Sequence, residues 1–145
     1  MLVITGGAGF IGSAIAQELN SRGKADLIIV DDIDHPEKDK NIASIKYQKL
    51  FGKNYFLKKI LDRDIESIDV IIHMGACSST TETDEKFIKE NNYDYTCHLA
   101  TFALERDIRF IYASSAATYG SGEKGYSDDE YKLNTLKPLN PYGES

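Results

Sequence analysis

Three groups of residues in this 145-residue chain have the types and spacing to do chemistry. Gly6, Gly9 and Gly12 fit G-x-x-G-x-x-G. In that pattern the first glycine allows a tight turn and the second lets the backbone come close to a pyrophosphate. The third lets a helix pack closely, and the N–H groups and positive dipole end of that helix attract the anion. Asp31 and Asp32 follow at about the distance where a dinucleotide-binding fold places a ribose-binding carboxylate. A carboxylate there repels a 2′-phosphate, so alone it favours NAD over NADP. One of the two aspartates is expected merely to begin the loop. The third group is hydroxylic: Ser114, Ser115, Thr118, Tyr119 and Tyr142. A tyrosine with its ordinary pKa of about 10 is a poor base at neutral pH. A lysine at i+4 on the same helix face, together with an oxidised nicotinamide, lowers that pKa and makes proton abstraction feasible. For Tyr142 that position is residue 146, one past the end, so either the chain is a fragment or the arrangement does not exist. By itself Tyr142 reads first as a packing tyrosine.

The elements needed to position these groups are legible in the apolar pattern. Leu2-Val-Ile4 is a short run without amphipathic alternation, as in a strand buried on both faces. Ile11, Ala14, Ile15 and Leu19 recur at helical spacing, which predicts a helix from Phe10 to Arg22 stopped by Gly23. Leu27-Ile-Ile-Val30 is a second buried strand, ending on the acidic pair. Residues 33–53 resist assignment. Their lysines (38, 40, 46, 49 and 53) read as a solvated loop, or as the source of one or two contacts to a 2′-phosphate. Phe56, Leu57, Ile60 and Leu61 suggest a short helix closed by Asp62-Arg-Asp64. Asp69–Met74 is a buried strand followed at once by Gly75-Ala76, where backbone again passes near a ligand. Ser79-Thr-Thr-Glu82 has capping-box spacing and predicts the start of a long helix with Phe87, Ile88, Leu99, Phe102 and Ala103 on its apolar face. Phe110–Ala113 is a further strand, and residues 121–140 are loop-like. Strands alternating with helices imply a parallel sheet covered on both faces, doubly wound, with its crevice above the carboxyl ends of the strands.

Bulk properties exclude several classes. With 41% hydrophobic and 28% charged residues the composition is globular and fits one domain. A net charge of −6 offers nothing to a nucleic-acid backbone or an anionic membrane. No apolar run approaches the ~20 residues that cross a bilayer, and Met1 leads directly into the first strand, without room for a signal peptide. Cys77 and Cys97 suggest no disulfide scaffold, so a reducing cytoplasmic setting is the default. His73 and His98 have no partners at metal-ligating spacing, and packing or solvent exposure is expected of both.

Thr5-Gly-Gly-Ala-Gly-Phe-Ile-Gly12, Ser114-Ser-Ala-Ala-Thr-Tyr-Gly120 and Pro141-Tyr142-Gly-x-Ser145 together resemble the extended short-chain dehydrogenase/reductase family, whose members mostly work on nucleotide sugars. His73-x-Gly-Ala-Cys-Ser-Ser-Thr-Thr-Glu82 with Asn91-Asn-Tyr-x-Tyr95 is similar to the branch that inverts C6 of an ADP-activated manno-heptose, a lipopolysaccharide precursor. The resemblance covers essentially the whole chain. It implies a Rossmann-type doubly wound parallel sheet over residues 1–145. The glycine turn with Phe10 and Ile11 would hold the pyrophosphate, and Asp31 with Asp32 the adenosine ribose. Lys38 and Lys53 match lysines that contact NADP, which the family uses in place of the NAD suggested by the acidic pair. Met74, Gly75, Ala76, Cys77 and Ser78 would line the cofactor, and Asn91 would contact it. Ser115 and Tyr142 match the catalytic serine and tyrosine, and the substrate implied is ADP-heptose. The family's i+4 lysine and its C-terminal half, with the substrate pocket and a second base, are not in this sequence. The resemblance therefore implies the N-terminal, cofactor-binding part of a longer, homo-oligomeric enzyme, inactive by itself.

Two other classes remain in view. Another nucleotide-sugar 4-epimerase or 4,6-dehydratase shares the same motifs, although dehydratases usually place an acidic residue beside the serine, where Ala116-Ala117 stand here. A non-catalytic dinucleotide-binding sensor needs the glycine turn but neither Ser115 nor Tyr142.

Overall fold

The apolar runs Leu2–Thr5 and Leu27–Val30 become strands because each can be covered from both sides, whereas Arg109–Tyr112 forms a largely exposed edge. The computed structural model describes residues 1–33, 35–65 and 67–145. They form two compact units, residues 1–76 with 95–112 and residues 77–94 with 113–145.

The first unit contains one sheet of five parallel strands: β1 (Leu2–Thr5), β2 (Leu27–Val30), β3 (Lys49–Phe51), β4 (Val70–His73) and β5 (Arg109–Tyr112). Their order is β3-β2-β1-β4-β5. Thr5 lies in register with Val30 on one side and His73 on the other, so these three strands end level. Alternate side chains go to opposite faces. Val3, Ile28, Val30 and Ile71 pack with Phe56, Ile60, Leu99 and Phe102 on one face. Ile4, Leu27 and Ile29 pack with Ala8, Ala16 and Ile42 on the other. Helix α1 (Phe10–Ser21) and helix α2 (Pro36–Ile42) thus cover one side, and α3 (Lys53–Leu61) and α5 (Tyr95–Glu105) the other. That is the doubly wound sheet expected of the sequence.

Helix α1 ends as its sequence predicts. Gly23 takes φ +77°, and the Gly23 and Lys24 N–H groups bond to the carbonyls of Asn20 and Leu19, closing a Schellman motif. Its buried face is Gly12 and Ala16 with Ile15 and Leu19 beside them, whereas Ile11 and Ala14 face outward. The stretch left unassigned holds two elements. Pro36 begins α2 behind His35, whose ring nitrogen accepts the Glu37 N–H, and the three-residue β3 forms the sheet edge.

In the second unit α4 (Glu85–Ile88) begins behind Asp84, whose carboxylate accepts the Phe87 N–H at 3.0 Å. The capping box at Ser79 is therefore corrected: Glu82 instead accepts the N–H groups of Thr83 and Asp84, and the helix starts after them. Several capping residues follow one another here, and the one nearest the apolar Phe87-Ile88 pair wins. Phe87 is itself 41% exposed. A π turn, Lys89–Asp94, follows without a break. Its wider i,i+5 period is matched by the Lys89–Asp94 ion pair at 2.6 Å. Short 3-10 turns at Ala116–Tyr119 and Glu130–Thr135, and α6 (Pro141–Glu144), complete the unit. Among the described residues no helix is long and apolar enough to cross a membrane.

Candidate functional site

Strand β1 delivers Thr5 and then Gly6 into the bend. Gly6 has φ +63°, and a Cβ on it would stand 2.7 Å from the Gly75 backbone after β4, so the two chains touch where the sheet order switches. Gly12 faces inward: a Cβ there would lie 2.2 Å from the Gly6 carbonyl oxygen and 2.8 Å from Gly7 Cα. Its closest approach is therefore to the bend itself and not to the strand. A Cβ on Gly9 would lie 3.2 Å from the Gly6 carbonyl oxygen. Helix α1 has no side-chain cap and no acidic residue in its first turn. Its leading N–H groups are thus offered to an incoming anion. Phe10 and Ile11 flank this end at 87% and 61% exposure.

The aspartates divide the work between them. Asp31 accepts the Ala8 N–H at 3.0 Å on one oxygen and the Lys38 ammonium at 3.0 Å on the other. Lys38 also donates to the Asp32 carbonyl at 2.8 Å. The Asp32 carboxylate turns to α3 and accepts the Lys53 N–H at 2.9 Å, acting as a remote N-cap. Asn41 on α2, which nothing in the glycine pattern announces, donates to the Ala8 carbonyl at 2.9 Å. Ala8 is thereby held at both its N–H and its C=O.

Behind the bend lies a buried polar chain. The Thr5 hydroxyl and His73 Nδ1 are 2.5 Å apart, His73 Nε2 and the Thr96 hydroxyl 2.8 Å, and the Gly75 N–H donates to Thr5 Oγ1 at 3.3 Å. His73 is 4% exposed, between the rings of Tyr95 and Phe110. Burial lowers its pKa from 6.5 to about 4, and a neutral imidazole satisfies both threonines by donating from one nitrogen and accepting at the other. Packing, one of the two roles expected of His73, is what it has; His98 is exposed. Burial pushes the Tyr95 phenol well up, with the Asp32 and Asp31 carboxylates adding to it, and its hydroxyl donates to the Lys53 carbonyl at 3.3 Å. Met74 extends the β1 pairing through its N–H to Thr5, and Ala76 is exposed.

The second unit carries the other candidates. Ser115 caps the 3-10 turn, its Oγ accepting the Ala117 N–H at 3.2 Å. Tyr142 sits half-buried in α6, which Asn140 caps through the Gly143 N–H at 2.8 Å. Cys77 is half-buried and Ser78 exposed, while Asn91 donates to its neighbour Asn92 at 3.1 Å. Asn92, 6% exposed, was not singled out by the sequence.

A five-stranded parallel sheet with a glycine bend at its switch point defines the dinucleotide-binding α/β class. Within that class the chain belongs to the NAD-dependent epimerase/dehydratase family, whose model matches residues 2–145. It is 46% identical over 146 aligned residues, all of this chain, to an ADP-L-glycero-D-manno-heptose-6-epimerase of Nitratidesulfovibrio vulgaris strain DP4, and spans 45% of that relative. The solved ADP-L-glycero-D-manno-heptose-6-epimerase of Helicobacter pylori is similar with a TM-score of 0.82 at 27% identity, over 99% of this chain and 46% of that one. A UDP-glucuronic acid 4-epimerase from Bacillus cereus, in complex with NAD, has a TM-score of 0.75 at 28% identity, over 99% of this chain and 47% of that one. The chain thus spans about half the length of the relatives it matches.

Proposed function

We propose that the protein epimerises the C6 centre of an ADP-activated manno-heptose, using NADP held by the first unit, in the supply of lipopolysaccharide core precursors. Heptose specificity is supported by the names of the relatives, and the dinucleotide by the uncapped α1 N-terminus behind a bend that admits no side chain at Gly12. That closed bend is the observation on which the cofactor reading rests. The ion pair between Lys38 and Asp31 supports NADP over NAD, because an ammonium 3.0 Å from the carboxylate offsets its repulsion of a 2′-phosphate.

When bound, the nicotinamide supplies reversible hydride acceptance, so that a sugar alcohol passes through a transient ketone without net redox change. Tyr142 takes the C6 hydroxyl proton, and the ketone then presents its other face before it is reduced. Ser115 donates to the reacting oxygen: with Oγ already accepting from Ala117, the hydroxyl is oriented and keeps its one hydrogen to give. Asp31 and Asn41 hold Ala8, and through it the bend, in one geometry.

The test is Tyr142→Phe in the full-length protein. Turnover of ADP-heptose should fall by a factor on the order of 10³, the usual weight of a positioned acid–base group, with NADP affinity kept. Retained turnover overturns the assignment of Tyr142, and a wild type that leaves ADP-heptose untouched overturns the substrate.

A further inference from the structure

Lys53 is held at both of its peptide groups by side chains from other elements. Asp32, just past β2, accepts its N–H on Oδ1 at 2.9 Å, and the Tyr95 hydroxyl, at the start of α5, donates to its carbonyl at 3.3 Å. These partners lie 21 and 42 residues away in sequence. Helix α3 takes this help from outside because its N-cap residue is Gly52, which has no side chain to offer. A Cβ on Gly52 would stand 3.4 Å from Asp32 Oδ1, so the carboxylate lies close over the helix start. Tyr95 is 7% exposed and its ring stacks 5.8 Å from that of His73, so the phenol arrives on a fixed support. Burial, with the Asp32 and Asp31 carboxylates, keeps that phenol protonated, and its hydrogen is always there to give. Further along α3, Phe56 is fully buried and Ile60 nearly so, which anchors the rest of the helix. The clamp therefore governs the first turn, and the first turn carries Lys53.

That lysine begins at the carboxyl end of β3, which the Asp31 N–H ties to the end of β2 through the Phe51 carbonyl at 3.0 Å. In a doubly wound sheet, a cation near the end of the second strand accommodates a 2′-phosphate. The two carboxylates there would repel that phosphate, yet each is engaged. Asp31 faces the Lys38 ammonium, and Asp32 faces the N–H and the positive dipole end of α3. We infer that Asp32 and Tyr95 are positioning residues: together they fix Lys53 at the adenosine end of the cofactor site and thereby set a preference for NADP over NAD. The inference rests on the proposed function, which places the dinucleotide on the first unit. Neither residue touches the cofactor in this scheme; both act through Lys53.

Full-length Asp32→Ala, Asp32→Asn, Tyr95→Phe and Lys53→Met test this, with NADP+ and NAD+ as probes and their dissociation constants as the readout. Asp32→Ala removes the cap and should weaken NADP+ about fivefold, the weight of a typical N-cap, with NAD+ kept within about twofold. Asparagine keeps the accepting oxygen, so Asp32→Asn should bind NADP+ at least as tightly as wild type. Tyr95→Phe keeps the ring and loses the donor. Because 3.3 Å is long for a hydroxyl, NADP+ should weaken only about threefold. Lys53→Met should weaken NADP+ about tenfold, and adding Asp32→Ala to it should weaken it no further, since both act along one path. A merely loosened fold would weaken both nucleotides equally in Asp32→Ala, and that result overturns the inference. So does an Asp32→Asn that binds NADP+ as poorly as Asp32→Ala. If Asp32→Ala does not fold, Tyr95→Phe decides: a loss that persists in full on top of Lys53→Met refutes the route through Lys53. A wild type that prefers NADP+ alongside variants of unchanged preference sinks this inference only. A wild type that prefers NAD+ sinks the NADP assignment with it, and one that binds no nicotinamide nucleotide sinks the whole functional reading.

Discussion

Gly12→Ala is the sharpest probe of the bend, because the structure says how much room the new methyl group lacks. The Cβ would sit 2.2 Å from the Gly6 carbonyl oxygen, where ordinary contact begins at 3.4 Å. Gly6 C and Gly7 Cα, each at 2.8 Å, close the other directions. All three are backbone atoms, so no side chain can rotate aside. Either the start of α1 or the bend must move by about 1 Å, and overpacking of this kind costs roughly 1–3 kcal/mol. The displaced groups are the N–H donors proposed to hold the pyrophosphate, so binding suffers as well as stability. A misplacement of this size can cost about 10²-fold where geometry is set to the ångström. Gly23→Ala is the matched control. Gly23 has φ +77°, and among the described residues nothing beyond its chain neighbours lies within 4 Å of its Cβ. That variant should lose only about 1 kcal/mol of stability to backbone conformation, and no affinity. Denaturant midpoints and NADP+ dissociation constants of the intact protein and both variants check this. If Gly12→Ala binds within threefold of wild type, or if Gly23→Ala weakens binding as much, the crowding argument fails.

Two further outcomes follow from charged and titrating groups. Lys38→Ala leaves the Asp31 carboxylate without its ammonium partner and should weaken NADP+ binding about tenfold while sparing NAD+. Equal losses for both nucleotides, measured side by side, would remove the 2′-phosphate role from Lys38. His73 has a pKa lowered by burial from 6.5 to about 4, so the unfolded chain takes up its proton first. Its contribution is fully present above about pH 6.5 and is lost as pH falls toward about 4, amounting to about 3 kcal/mol when complete. Urea unfolding of wild type and His73→Gln at about pH 7 and about pH 4.5 reads the difference, and identical pH slopes would show that His73 does not carry it.

Strands β1, β2 and β4 and helices α1 and α3 could be read from the chain because each is declared locally. An uninterrupted apolar run has no exposed face to offer, so Leu27–Val30 is a buried strand whatever surrounds it. The Gly23 stop likewise needs nothing beyond the last turn of α1. Strand β3 escaped because Lys49-Leu-Phe51 is three residues long at an edge, with Leu50 37% exposed and no alternation to detect. The start of α4 was misplaced because Ser79, Thr83 and Asp84 are chemically equivalent caps, and only packing chooses among them.

Taken alone, then, the residues determine a glycine bend between a buried strand and a helix, and the alternation that makes a doubly wound sheet. Periods of two and of 3.6, and the glycine turn, are properties of neighbours along the chain. The tertiary structure alone decides that Asp31 serves the bend while Asp32 caps α3, and that Asn41 and Asn92 hold Ala8 and Cys77. A carboxylate or a carboxamide carries no period, and its partner is whichever backbone group the fold brings within about 3 Å. For these side chains that group lies 15 to 33 residues away in sequence, a distance over which only the packed chain can choose.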